Sequence, residues 1–126
     1  PDVRNVPNGI AGIGALPHLT FKLYSDNFQN GIFELSRRLS ANPAKIAGIY
    51  PKKGVIREGS DADLVILDAS GEEREIKSSL SDVYETYPRK KTKLYFKYVI
   101  VRGNVIVKDN RIINEKNFAG ECKKKS

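Results

Sequence analysis

The chain has 126 residues, 40% hydrophobic and 29% charged, the composition of one globular domain rather than of a disordered chain. No apolar run is longer than Leu64-Val65-Ile66-Leu67, far short of the roughly 18 residues that a spanning helix needs, and the single Cys122 excludes an internal disulfide. The net charge of +7 is uneven: residues 1–88 hold ten Lys/Arg against twelve Asp/Glu, and residues 89–126 hold twelve against three.

Residues 1–25 read as an irregular loop, with Gly9, Gly12 and Gly14 between Pro7 and Pro17. The spacing superficially resembles a phosphate-binding glycine turn. However, no strand precedes it and Pro17 stands where a helix would have to open. Residues 26–39 predict an amphipathic helix, because Phe28, Ile32, Leu35 and Leu39 recur on one face, with Asp26 or Asn27 as its cap. A second helix of little more than one turn is expected at 42–48: Asn42 as N-cap, Pro43 at the first helical position, Gly48 at the left-handed C-terminal position.

From Tyr50 onward the period changes. Gly54 and Gly59-Ser60-Asp61 bound a short extended piece at Val55-Ile56 and a strand at Ala62–Leu67. The latter is apolar on both faces and so should be covered on both. Residues 69–92 are polar and turn-rich, anchored by Ile76, Val83 and Tyr84. Tyr95–Val101, the turn Arg102-Gly103-Asn104 and Val105–Lys108 predict a hairpin, and Asp109-Asn110 a further turn before Arg111–Ile113. Helices followed by antiparallel strands indicate an α+β arrangement. The cations of 89–108 alternate with Leu94, Phe96, Val99 and Val101, which favours a solvated sheet face over a polyanion partner.

No constellation in these residues supports catalysis unaided. His18 has no predicted partner, and one histidine cannot build a polyhistidine metal centre. Asp61 and Asp63, two apart on a strand, share a face and invite an acid–base or metal reading. The turn chemistry of Gly59-Ser60-Asp61 and backbone bonding by Asp63 account for them better. Cys122 reads as an inert tail residue. The chain starts at Pro1 and holds no Met, so a piece of a longer protein is expected. The absence of a basic-then-apolar start suggests a cytoplasmic location.

Several segments resemble one family. Ser40-Ala41-Asn42-Pro43-Ala44-Lys45-Ile46-Ala47-Gly48-Ile49-Tyr50-Pro51-Lys52-Lys53-Gly54 is similar to the hydantoinase/dihydropyrimidinase branch of the amidohydrolases, as is Gly59-Ser60-Asp61-Ala62-Asp63-Leu64-Val65-Ile66-Leu67-Asp68 behind it. So are the stretches Val6–Ile13, Val99–Val107 and Phe118–Lys124. The resemblance implies a C-terminal fragment in which residues 1–49 supply the last loop and helices of a (β/α)8 barrel. Residues 50–126 would supply antiparallel strands of a composite β-sandwich and a basic tail. The parent would be a hydrolase of cyclic amides, with two zinc ions held by residues outside this chain. The fragment would carry no catalytic or metal-binding residue of its own. Only Asn8 carries over as a substrate-binding position, holding the ring amide largely through its main chain. A homotetrameric parent is implied, with a small cyclic-amide substrate and neither nucleic acid nor membrane as partner. The sequence departs from the family at Gly14-Ala15-Leu16, where an acidic residue and an arginine commonly stand. The alternatives are a metal-free dihydropyrimidinase-related scaffold protein and a small basic binding module.

Overall fold

A computed structural model describes residues 12–25, 28–76 and 89–114. Asn8, the Asp26-Asn27 cap, Val83, Tyr84 and Cys122 lie outside the described residues. The first departure from the sequence reading is helix α1 (Leu16–Tyr24), in a stretch expected to be loop. Pro17 sits in the first turn of that helix. There its missing N–H is one that no helix can satisfy internally, so the residue read as a breaker is a starter. The Gly12 carbonyl accepts the N–H groups of Ala15 and Leu16 at 3.0 and 3.1 Å and closes the entry turn.

Helix α2 (Phe28–Ser36) agrees with the amphipathic pattern. Leu35 is buried with Phe21 and Leu94, and Ile32 and Leu39 pack against them. Gly31 lets α1 lie close: a Cβ there would stand 2.7 Å from the Phe21 ring.

The helix does not end near residue 39. It runs through a π-turn (Arg37–Ala41) into α3 (Asn42–Ile46). Asn42 is therefore not an N-cap; its φ of −65° and ψ of −47° are helical and its N–H donates five residues back to the Arg37 carbonyl. Pro43 explains the widening, since in a regular α-helix its ring would strike the carbonyl four residues earlier and its absent N–H would leave that carbonyl unpaired. The end of α3 is as expected. Gly48 has φ 70°, and the N–H groups of Gly48 and Ile49 donate to Lys45 and Ala44 at 3.1 and 2.9 Å, a Schellman closure.

Strands β1 (Leu64–Asp68), β4 (Tyr95–Val101), β5 (Asn104–Lys108) and β6 (Arg111–Ile112) form an antiparallel sheet in the order β1-β4-β5-β6. A two-stranded ribbon, β2 (Arg74–Glu75) with β3 (Lys91–Thr92), lies in the region read as turn-rich, and Ile76 beside it is buried as expected. Val55-Ile56 is not a strand, and Ile56 is exposed. The two tight turns stand where the sequence puts them. Arg102 and Gly103 have φ of 51° and 81°, and Asp109 and Asn110 have 48° and 57°. Paired positive φ values match the right-handed strand twist.

The expectation that β1 is covered on both faces is not met. Val65 is 51% exposed and Ile66 46%. Among the described residues β1 is an edge strand paired only to β4, and its register shifts between Ile66 and Leu67. The extra residue there is Lys97 of β4, and beyond it Leu67 packs on the Phe21–Leu35–Leu94 core while the two preceding side chains stay outside. The helices thus meet one end of the sheet through Leu67, Ala69 and Phe96. Among the described residues no helix is long and apolar enough to cross a membrane.

Candidate functional site

Three segments singled out in the sequence converge at one end of the sheet: the loop 50–54, the turn 59–63 and the β4–β5 hairpin turn. The loop carries a cis Tyr50–Pro51 peptide and a left-handed Gly54. The Lys52 ammonium donates to Asp61 Oδ1 at 2.9 Å, and Lys53 lies 3.1 Å from Asp61 Oδ2 and also pairs with Asp63. Ser60 Oγ donates to the Pro51 carbonyl at 2.7 Å, and the Asp61 N–H to the Lys52 carbonyl at 2.8 Å. On the other side, Asp63 Oδ1 accepts the Arg102 N–H at 2.8 Å, and the Gly103 N–H donates to the Ala62 carbonyl at 2.9 Å.

This geometry decides between the two readings of the aspartate pair. Lys52, followed by Lys53, holds the Asp61 carboxyl down at about 2, and Lys53, helped by the Arg102 N–H, lowers that of Asp63. Carboxylates so acidic are poor proton acceptors near neutrality. Their oxygens are already engaged by two ammonium groups and a backbone donor. The pair is structural. Asp63 does bond backbone, but of a residue 39 positions away rather than a sequence neighbour. Lys52 and Lys53 were the partners that the sequence reading missed; two adjacent cations in one turn and two spaced anions in the next are the signal that could have shown them.

His18, on α1, sets its ring edge-on to Phe96 of β4 at 5.3 Å between centroids and 83° between planes. Its Nδ1 is buried without a hydrogen-bond partner among the described residues, and burial lowers its pKa. The ring packs against Phe96, and among the described residues no hydroxyl or thiol is bonded to Nδ1. Among the described residues no three His, Cys, Asp or Glu side chains gather as a metal site.

The sequence and fold match known proteins. Residues 10–106 match the model of the amidohydrolase family. A D-hydantoinase of Ralstonia pickettii is 31% identical over 117 residues, 90% of this chain and 25% of the relative. A dihydropyrimidinase of Arabidopsis thaliana is 39% identical over 67 residues, 53% of this chain and 13% of the relative. The solved D-hydantoinase (dihydropyrimidinase) from Thermus sp. superposes with a TM-score of 0.77 at 30% identity, over 91% of this chain and 26% of that one. The chain therefore spans about a quarter of the length of the hydantoinases it matches along most of its own. With the matched region running through α1, the lysine–aspartate junction and the β4–β5 hairpin, the chain belongs to the amidohydrolase family.

Proposed function

We propose that these residues are the C-terminal portion of a metal-dependent hydrolase of cyclic amides of the hydantoin or dihydropyrimidine type, and that they carry no reaction centre of their own. The observation that supports this most is the 31% identity with a D-hydantoinase along 90% of this chain and only 25% of that enzyme. On this reading residues 1–49 close the barrel and residues 50–126 complete a β-sandwich and tail. The parent is a cytoplasmic homo-oligomer, a tetramer, that acts on a small cyclic amide. Asn8 contacts the ring amide through its main chain.

The two zinc ions that the resemblance implies do not fit the residues described. Asp61 and Asp63 are held by lysine ammonium groups, and His18 stands alone with its Nδ1 buried and no second ligand-type side chain gathered beside it among the described residues. We assign the ligands to the part of the polypeptide outside these 126 residues. The reading is tested by expressing the complete reading frame and following ring opening of hydantoin and dihydrouracil by loss of ring absorbance, with metal content measured alongside. Ring opening that chelator abolishes is the expected result. A complete, folded product that opens neither ring would refute it.

A further inference from the structure

A cleft of about 300 Å³ lies between the C-terminal end of α1 and the β2–β3 ribbon. Phe21 and Thr92, both buried, contribute to its lining, with Lys22, Lys91 and Lys93 around them and Glu73 as the one acidic lining residue. The Lys22 ammonium is already placed, donating to the Lys91 carbonyl at 3.1 Å with two further N–H donors to spare. Thr92 Oγ1 accepts the Leu94 N–H at 3.1 Å and keeps its own hydroxyl proton to donate.

At the cleft itself three lysines face one lining carboxylate, Glu73, with Glu75 across the ribbon from Lys91. Residues 89–97 hold Arg89, Lys90, Lys91, Lys93 and Lys97 and no carboxylate. Several cations elsewhere are engaged, Arg37 and Arg38 on Glu34, Lys52 and Lys53 on the aspartates, Lys45 over Tyr50, and Arg74 over Tyr95. Those five make no side-chain ion pair with any described residue. Like charges around a concave, partly apolar wall focus a positive potential where a small multivalent anion can displace water from several ammonium groups at once.

We propose that this cleft is a binding site for a small phosphate-bearing anion, with Lys22 and Lys93 as the charged contacts and the Thr92 hydroxyl as a neutral donor. The site is independent of the hydrolase reading and uses none of the junction residues.

Titrating pyrophosphate into the 126-residue chain at physiological ionic strength, followed by amide chemical shifts and calorimetry, tests it. Saturable one-to-one binding is expected, with shifts centred on residues 21–25 and 91–93. The Lys22→Gln/Lys93→Gln variant should bind about tenfold more weakly, the effect of removing two solvent-exposed charge contacts. A Lys108→Gln/Arg111→Gln control, with the same charge change on β5–β6, should bind as the parent does. Inorganic phosphate and a phosphate monoester, titrated in parallel, separate a bare oxyanion from an esterified ligand. Absence of saturation, or equal weakening by both variants, overturns the proposal. Single-stranded oligonucleotide binding that is tighter than pyrophosphate and equally sensitive to both variants would also overturn it, marking a diffuse polyanion surface.

Discussion

Gly54 and Gly59 share one backbone demand and differ in their surroundings, with φ of 85° and 82°. A Cβ at Gly54 would lie 2.6 Å from the Ala44 Cβ and 3.0 Å from the Ser40 carbonyl oxygen, whereas at Gly59 it would meet nothing within 4 Å. Gly59→Ala should therefore cost only the left-handed penalty of about 1 kcal/mol, and Gly54→Ala about 2 kcal/mol or more because α3 must also move. Urea midpoints measure both, and equal losses would contradict the contact. The junction carboxylates make a second prediction. Asp61 drops from its ordinary 3.8 to about 2 on folding, so its contribution is complete above 3.8 and fades as pH falls towards 2. Asp61→Asn should lower stability near neutrality and flatten the acid limb between those values, so that the two proteins converge as pH falls towards 2. His18 shifts down from 6.5 through burial, so protonation favours the unfolded chain. Its contribution is whole above 6.5 and declines as pH falls through that value to the lowered one; His18→Phe should remove that decline, and ring resonances should titrate below 6.5.

The elements differ in how far local sequence determines them. The β4–β5 hairpin was legible almost residue for residue, because alternation and a glycine turn are local signals and both point the same way. Helix α2 was legible from its period, and the Gly48 closure from one residue type. Helix α1 was not, since Pro17 is equally compatible with breaking a helix and starting one, and only the packing of Phe21 against Leu35 and Leu94 decides. The continuity of α2 into α3 was hidden for the same reason: Pro43 suggested a new start where the chain instead widens into a π-turn. β1 was expected at Ala62–Leu67 and runs from Leu64 to Asp68, and its surroundings were misjudged, because apolar residues on both faces state what a strand requires and not which part of the polypeptide supplies it. Val65→Lys should then change stability by within about 0.5 kcal/mol, while Leu94→Ala in the core costs about 3 kcal/mol. The Val65 change should also reduce self-association by light scattering, since it places a charge on an open apolar edge. A core-sized loss at Val65 would show that its exposure is misjudged.

At the scale of the whole molecule, the described residues bring the family-like segments together without assembling a reaction centre. The loop 50–54, the turn 59–63 and the turn 102–103 meet in ion pairs and backbone hydrogen bonds that consume both candidate carboxylates. The family was legible from those segments because they are the ones that fix each other in space. The proposed substrate contact, Asn8, lies outside the described residues, and its role rests on motif alone. On the proposed function, ring opening requires polypeptide beyond these 126 residues. The measurement that tests it most directly compares hydantoin and dihydrouracil ring opening by the complete reading-frame product with that of the 126-residue chain, both supplied with zinc at equal molarity. A product several times longer should open the ring, and the short chain should be folded but inert. Ring opening by the short chain, or a complete reading frame that ends within these residues, would contradict it.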